Sequence, residues 1–196
     1  MKQELNAKRK DAKLWARQTD DWYVEPQWVS SRLFDVEPFG GEIWDPACGG
    51  GNIITAALCA GLKACGSDKI RRYPGAIVHD FLAQGEWPDR VDNIVSNPPF
   101  KHAQRFVEIA LSITAGKVAM LLPASWIQGD KRSRWLEETP LSKVYFLTPR
   151  PSMPPGEVIA AGMAPGGGTV DYAWFVWDIP KRTKRAPEIN WLRRNP

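Results

Sequence analysis

The stretch Glu42-Ile43-Trp44-Asp45-Pro46-Ala47-Cys48-Gly49-Gly50-Gly51-Asn52 decides the fold. With the apolar run Ile53 to Leu62 behind it, it reads as strand, glycine turn and helix. Glycines at the end of a first parallel strand let the backbone come close to a ligand, because no Cβ stands in the way, and Asp45 at the strand end can accept from an ammonium group. The ligand need not be a dinucleotide. Counted from Gly49, the last glycine of Gly-x-Gly-x-x-Gly is replaced by Ile54, and no phosphate loop ending in Gly-Lys-Ser/Thr occurs. Alone, the glycine cluster describes a tight turn equally well.

A second motif lies downstream, where Asp92-Asn93-Ile94-Val95-Ser96 runs into Asn97-Pro98-Pro99-Phe100. Each proline fixes its own φ and pushes the preceding residue towards extended backbone, so the turn after this strand is stiff. The side-chain oxygen of Asn97 and the carbonyl of Pro98 can then point the same way. Two acceptors converging on one exocyclic NH2 hold its hydrogens and turn its lone pair out of conjugation, while Phe100 stacks on the attached ring. That combination describes an acceptor site for methylation of a planar, weakly nucleophilic amine. A rigid strand-to-helix turn is the plainer account of the tetrapeptide taken by itself.

Together and in this order, Asp-Pro-Ala-Cys-Gly-Gly-Gly at 45–51 and Asn-Pro-Pro-Phe at 97–100 resemble class I S-adenosylmethionine-dependent methyltransferases that act on exocyclic amines. The resemblance is nearest to N6-adenine DNA methyltransferases, particularly the small phage and prophage forms, and covers roughly residues 20 to 180. It implies an α/β, Rossmann-like fold with a mostly parallel seven-stranded sheet, helices on both faces and a reversed last strand. It also implies S-adenosyl-L-methionine as cofactor, with contacts from Asp45, Pro46, Ala47, Cys48, Gly49, Gly51 and Asn52, and a catalytic turn at Asn97, Pro98, Pro99 and Phe100. Trp22 to Pro26 resembles the segment that closes over the cofactor, bringing in Tyr23, Glu25 and Pro26. The family more often has Thr-Pro where this chain has Glu25-Pro26. Phage methylation of this kind hides DNA from restriction, which the resemblance implies.

Two further acids fit the remaining cofactor contacts. Asp68 ends the short strand Lys63-Ala64-Cys65-Gly66-Ser67, where an acid can hold ribose hydroxyls. In Ala76-Ile77-Val78-His79-Asp80-Phe81 a third strand would present Asp80 to the adenine amino group and Phe81 to its face. Either acid alone is equally a solvated turn residue. An adenine in duplex DNA hides its amine in the stack, so the base must be flipped out or arrive single-stranded.

At 196 residues the chain suits one domain with a normal core. The formal charge of +4 is unevenly placed: residues 1–17 carry six Lys/Arg against two Asp/Glu, and residues 181–196 carry six against one. The divisions expected are a basic N-terminal extension at 1–20, a methyltransferase domain at 21–180 and a basic tail at 181–196. Basic ends around an acidic centre suit arms that engage a polyanion by counterion release, and equally suit solubilising tails. DNA is the expected partner, and RNA stays open. The three cysteines, Cys48, Cys59 and Cys65, have neither disulfide nor zinc spacing, and the two histidines form no cluster with them, so no metal is expected. The start lacks an apolar signal region and no run of ~18 apolar residues occurs, so the expectation is a cytoplasmic protein off the membrane, in the host cytoplasm if phage-encoded. A monomer is favoured.

Strands alternating with helices argue for a parallel α/β sheet. Helices are expected over 4–18, 27–37, 101–114 and around 130–138, and strands over 117–122, 143–147 and 172–177. Pro149 to Thr169, rich in Pro and Gly, has no periodic pattern, which marks a functional loop or disorder, and a substrate-facing loop is favoured. Trp126, Lys131, Arg132 and Arg150 are the candidate substrate contacts, Trp126 by base stacking and the cations by phosphate pairing, against core packing and solvated charge as the plainer accounts. No stretch is long enough for a separate target-recognition domain, so sequence preference is expected to be short or relaxed. Methylation of an RNA base, methylation of a protein glutamine, and a binding module without turnover remain as alternatives.

Overall fold

The computed structural model describes residues 22–83, 87–88, 90–164, 166–181 and 186–195. The expected extension at 1–20 lies outside the described residues. Eight strands form one sheet: β1 (Glu42–Asp45), β2 (Lys63–Asp68), β3 (Ile77–Val78), β4 (Asn93–Ser96), β5 (Lys117–Pro123), β6 (Leu141–Thr148), β7 (Tyr172–Asp178) and β8 (Glu188–Arg193). Their order is β3-β2-β1-β4-β5-β7-β6-β8. Strands β3, β2, β1, β4 and β5 are parallel neighbours, whereas β7 lies antiparallel between β5 and β6. The parallel α/β expectation holds, with β7 as the reversed strand.

The helices are α1 (Gln27–Val36), α2 (Asn52–Cys59), α3 (Ala103–Ile113), α4 (Asp130–Glu137) and the short α5 (Gly156–Ala160). They cover both faces, so the central strands read as continuous apolar runs whose alternate residues serve two cores. In β5, Val118, Met120 and Leu122 face α3, while Ala119 and Leu121 face the side covered by α1 and α2. In β7 the same division sets Ala173, Phe175 and Trp177 against Tyr172, Trp174 and Val176. Helix α3 buries Ala103, Phe106, Val107, Ile109, Ala110 and Ile113, a stripe of 3.6-residue period on the face turned to the sheet. Below the sheet, the buried carboxylate of Glu37 accepts from Lys117, from Lys143 Nζ at 2.8 Å and from the Tyr145 hydroxyl at 2.7 Å, tying the end of α1 to β5 and β6.

Two expectations are corrected here. The sheet has eight strands, not seven: Glu188–Arg193 pairs in parallel with β6 over six positions, so the segment 181–196 is not a tail throughout. An open outer edge explains the misreading. Among the described residues one side of β8 faces no strand, and Leu192 alone is buried, with Glu188, Ile189, Trp191 and Arg193 exposed, so no period-2 alternation marks it as a strand. The region 149–169 is also more ordered than a plain loop. It contains α5 and pairs with the segment before α1, through Val24 N–H to the Pro154 carbonyl at 3.0 Å and Gly156 N–H to the Trp22 carbonyl at 2.9 Å.

Candidate active site

The order of the strands reverses between β1 and β4, where consecutive crossovers leave in opposite directions and a crevice opens beyond the carboxyl ends of the strands. The cleft there encloses about 270 Å³. It is floored by the turn after β1 and walled by Asp68 at the end of β2, by His79 and Asp80 after β3, and by Asn97 after β4.

The glycine turn owes its shape to two left-handed residues, Gly49 with φ 49° and Gly51 with φ 83°. Its backbone is held from below: the Gly49 N–H donates to Asp68 Oδ2 at 2.9 Å and the Cys48 N–H to the Ser67 carbonyl at 3.0 Å. A Cβ at Gly49 would stand 2.8 Å from Trp22 Nε1, so the missing side chain is what lets the Trp22 ring lie over the turn. Gly156 receives the same indole from the other side, and the Arg72 guanidinium lies 4.1 Å over its centre.

Three buried acids converge on the cleft. Asp45 is 1% exposed, and its Oδ1 accepts from the Ser96 hydroxyl at 2.7 Å and the Ala47 N–H at 3.1 Å. Burial pushes its carboxyl up to about 8 against these hydrogen bonds, and the charges of Glu25 and Asp68 push the same way. Glu25 is 5% exposed and is pushed up to about 7, again mainly by burial. Asp68 accepts from both the Gly49 and the Ile70 N–H groups.

The turn after β4 is built as its prolines require, running straight into a single 3-10 turn at Phe100–His102. Asn97 Nδ2 donates to the Tyr23 carbonyl at 3.0 Å and to Glu25 Oε2 at 2.9 Å. Both amide hydrogens are thereby committed, and Oδ1 is the amide atom left for an incoming donor. The Phe100 ring stacks on Tyr23 with centroids 5.8 Å apart and planes 8° from parallel, and leans on Tyr172 at 5.8 Å and 40°.

Of the residues singled out from sequence, Tyr23, Glu25, Asp45, Pro46, Ala47, Cys48, Gly49, Asn52, Asp68, Asp80, Phe81, Asn97 and Pro99 line this one cleft. Pro26, Gly51, Pro98 and Phe100 do not line it, although Pro98 and Phe100 adjoin the lining residues Asn97 and Pro99. Phe81 is 1% exposed and packs on Trp44 and Phe106, so most of its ring surface is committed to the core. Trp22, Lys69, Arg72 and Lys101 also line the cleft and were not chosen from sequence. For Lys101 the available signal was its place directly after Asn97-Pro98-Pro99-Phe100.

The four residues chosen for substrate contact are placed elsewhere. Trp126 is 7% exposed and packs edge-on against Trp135 and Phe175, so it belongs to the core and offers no face to a base. Arg132 lies 4.9 Å over the Trp126 ring and donates to its carbonyl. Arg150 pairs through two nitrogens with Asp171, and both side chains stay more than half exposed. Lys131 is exposed on α4. Among the described residues no group of acids, histidines and cysteines is arranged to hold a metal, and no helix is long and apolar enough to cross a membrane.

No protein-family model matches the chain, and no curated protein matches it by sequence. Solved structures do match by shape. A protein of Pyrococcus horikoshii provisionally described as an RNA methyltransferase superposes with a TM-score of 0.57 at 18% identity, over 91% of this chain and 98% of that one. A modification subunit of a provisionally assigned type I restriction enzyme from Vibrio vulnificus gives 0.60 at 16% identity, over 98% of this chain and 50% of that one. A provisionally assigned class I S-adenosylmethionine-dependent methyltransferase of Listeria monocytogenes gives 0.59 at 16% identity, over 98% and 71%. The chain therefore has the class I methyltransferase fold.

Proposed function

We propose that the chain is an S-adenosylmethionine-dependent methyltransferase that acts on the exocyclic N6 amine of adenine in DNA, with the flipped base held at Asn97-Pro98-Pro99-Phe100. The observation that carries this reading is the Asn97 amide, whose two hydrogens are both taken by the protein so that its oxygen is left for an amine.

The cleft fits the donor. Two carboxyls buried side by side, each pushed into or above the neutral range, are relieved by a ligand that brings positive charge. When bound, S-adenosylmethionine supplies a methyl group already activated on a sulfonium. Asp45 and Glu25 stabilise its cationic part, Asp68 holds the ribose hydroxyls, and the Gly49 turn permits close backbone approach. Asp80 and the wall near Phe81 take the adenosine end. Asn97 Oδ1 and the Pro98 carbonyl accept the two amine hydrogens, which aligns the nitrogen lone pair with the methyl group and disfavours the planar, conjugated amine. Phe100, backed by Tyr23 and Tyr172, supports the ring. The chemistry asks for alignment and fixed dipoles and needs no nucleophilic side chain.

The deciding experiment is mass spectrometry of nucleosides from unmethylated DNA and from total RNA, each incubated with the protein and isotopically labelled S-adenosylmethionine. Label in N6-methyladenine from DNA upholds the reading. Label confined to RNA moves the substrate to an RNA base, and no label with measurable donor binding discards both.

The acid cluster makes a separate prediction. Binding a cation lowers the pKa of both Asp45 and Glu25, so at pH 7 the protein should release on the order of one proton per ligand bound. Calorimetric titration in buffers of different ionisation enthalpy reads that number. S-adenosylhomocysteine, whose sulfur is neutral, should release fewer. A binding heat independent of buffer would show that the acids do not meet the positive charge.

A further inference from the structure

Glu25 stands where the resembled family more often has threonine, and its carboxylate touches the one side chain on which the acceptor site depends. Its Oε2 accepts from Asn97 Nδ2 at 2.9 Å with only 5% of the residue exposed. The backbone is clamped on either side. The Glu25 carbonyl accepts from Asn52 Nδ2 at 2.8 Å at the start of α2, and the Trp22 and Val24 backbones are hydrogen-bonded to Gly156 and Pro154. Glu25 is therefore held against Asn97 by two separate parts of the fold, the start of α2 and the segment that enters α5.

We propose that Glu25 is a positioning residue whose ionised carboxylate orients and polarises the Asn97 amide, so that amine methylation is switched by the protonation state of Glu25. The inference rests on Asn97 as the residue that receives the acceptor amine.

An ionised carboxylate only accepts, so it admits the amide solely with its NH2 group turned inwards, and its charge draws the amide towards the form with more negative oxygen. A protonated Glu25 weakens that pull and offers an O–H that competes for Asn97 Oδ1. The Tyr23 carbonyl, the second acceptor of Nδ2, opposes a full turn of the amide, so the loss is graded. In the donor-free protein the switch falls in an accessible range, because burial raises the Glu25 carboxyl to about 7, and a bound cationic donor moves it lower. The titratable and charged groups that share the cleft with it are Asp45 at the end of β1, Asp68 at the end of β2 with Arg72 at 3.7 Å, Lys69, His79 and Asp80 on the β2 and β3 side, and Lys101 and His102 after β4. Asp45 titrates near the same pH, so a pH profile of turnover alone does not isolate Glu25.

The test reads Asn97 directly. In 15N-labelled protein without donor or substrate, the side-chain amide pair that is missing from an Asn97→Asp variant is followed between about pH 5.5 and 8.5. Its two proton shifts should move with a midpoint near 7, and Glu25→Gln should abolish that movement. In parallel, turnover of the wild type should fall about tenfold from the alkaline plateau as Glu25 is protonated, and Glu25→Gln should lower the plateau and flatten the profile. An amide pair that does not move in the wild type, or moves unchanged in Glu25→Gln, overturns the proposal. The wild-type titration decides even where the variant does not fold. A titrating amide in a protein without turnover keeps the coupling and removes the methyltransferase reading, whereas turnover with a silent amide does the reverse.

Discussion

Asn97→Ala is expected to lower turnover by about 10³-fold or more while leaving donor affinity within about threefold, since it removes a preorganised dipole aimed at the reacting amine and reaches the donor only through the Glu25 carboxylate, whose backbone stays clamped. The residual structure should pay only locally. The Tyr23 carbonyl and the Glu25 carboxylate each lose a donor, and a buried acceptor left unpaired costs about 1–3 kcal/mol. Because the Asn97 hydrogen bond is one of the effects holding the Glu25 carboxyl down, its loss should raise that group further. Single-turnover rates, donor titration and a thermal melt on the same preparation separate these effects. Turnover within tenfold of wild type would take Asn97 out of the chemistry.

Trp174→Ala is expected to have the largest effect on stability. Trp174 is wholly buried in β7, opposite Leu121 of β5 and Tyr145 of β6, and its indole N–H donates to the Val29 carbonyl at 3.1 Å. It therefore packs the α1 side of the sheet and ties that helix down. Truncation leaves a cavity that neighbouring strands cannot close, for a loss of about 3–5 kcal/mol, with the orphaned carbonyl adding about 1 kcal/mol. Against the ~5–15 kcal/mol typical of a domain, this removes much of the margin. Trp174→Phe keeps most of the volume and loses the hydrogen bond, so it should cost about half as much or less. Urea denaturation of both variants checks the order. A loss below about 1 kcal/mol for alanine would show that the core relaxes freely.

The strands that bear the site were legible because they are buried on both faces and short. Ile94-Val95 and Val118 to Leu122 have no polar position to misplace, and glycines or prolines punctuate their ends. The eighth strand was not legible. Glu188 to Arg193 has a single buried residue, Leu192, and its basic surroundings read as a tail until β6 is seen beside it. The protein partners that Trp126, Arg132 and Arg150 acquire were hidden for a related reason. A cation in an exposed-looking sequence is free only if nothing folds back onto it, and here the Trp126 carbonyl and Asp171 do.

By itself the sequence determined the α/β class, the glycine turn after β1, the stiff turn after β4 and the order in which they occur, because local backbone rules act on residues that are neighbours in the chain. The tertiary structure alone decided which partners those turns acquire. Glu25 meets Asn97 across 72 positions and Asp68 meets Gly49 across 19, by way of parallel strands that bring distant ends to one rim. The burial that raises Glu25 and Asp45 likewise belongs to the folded cleft and to no segment of it, since desolvation comes from what other elements place around a carboxyl.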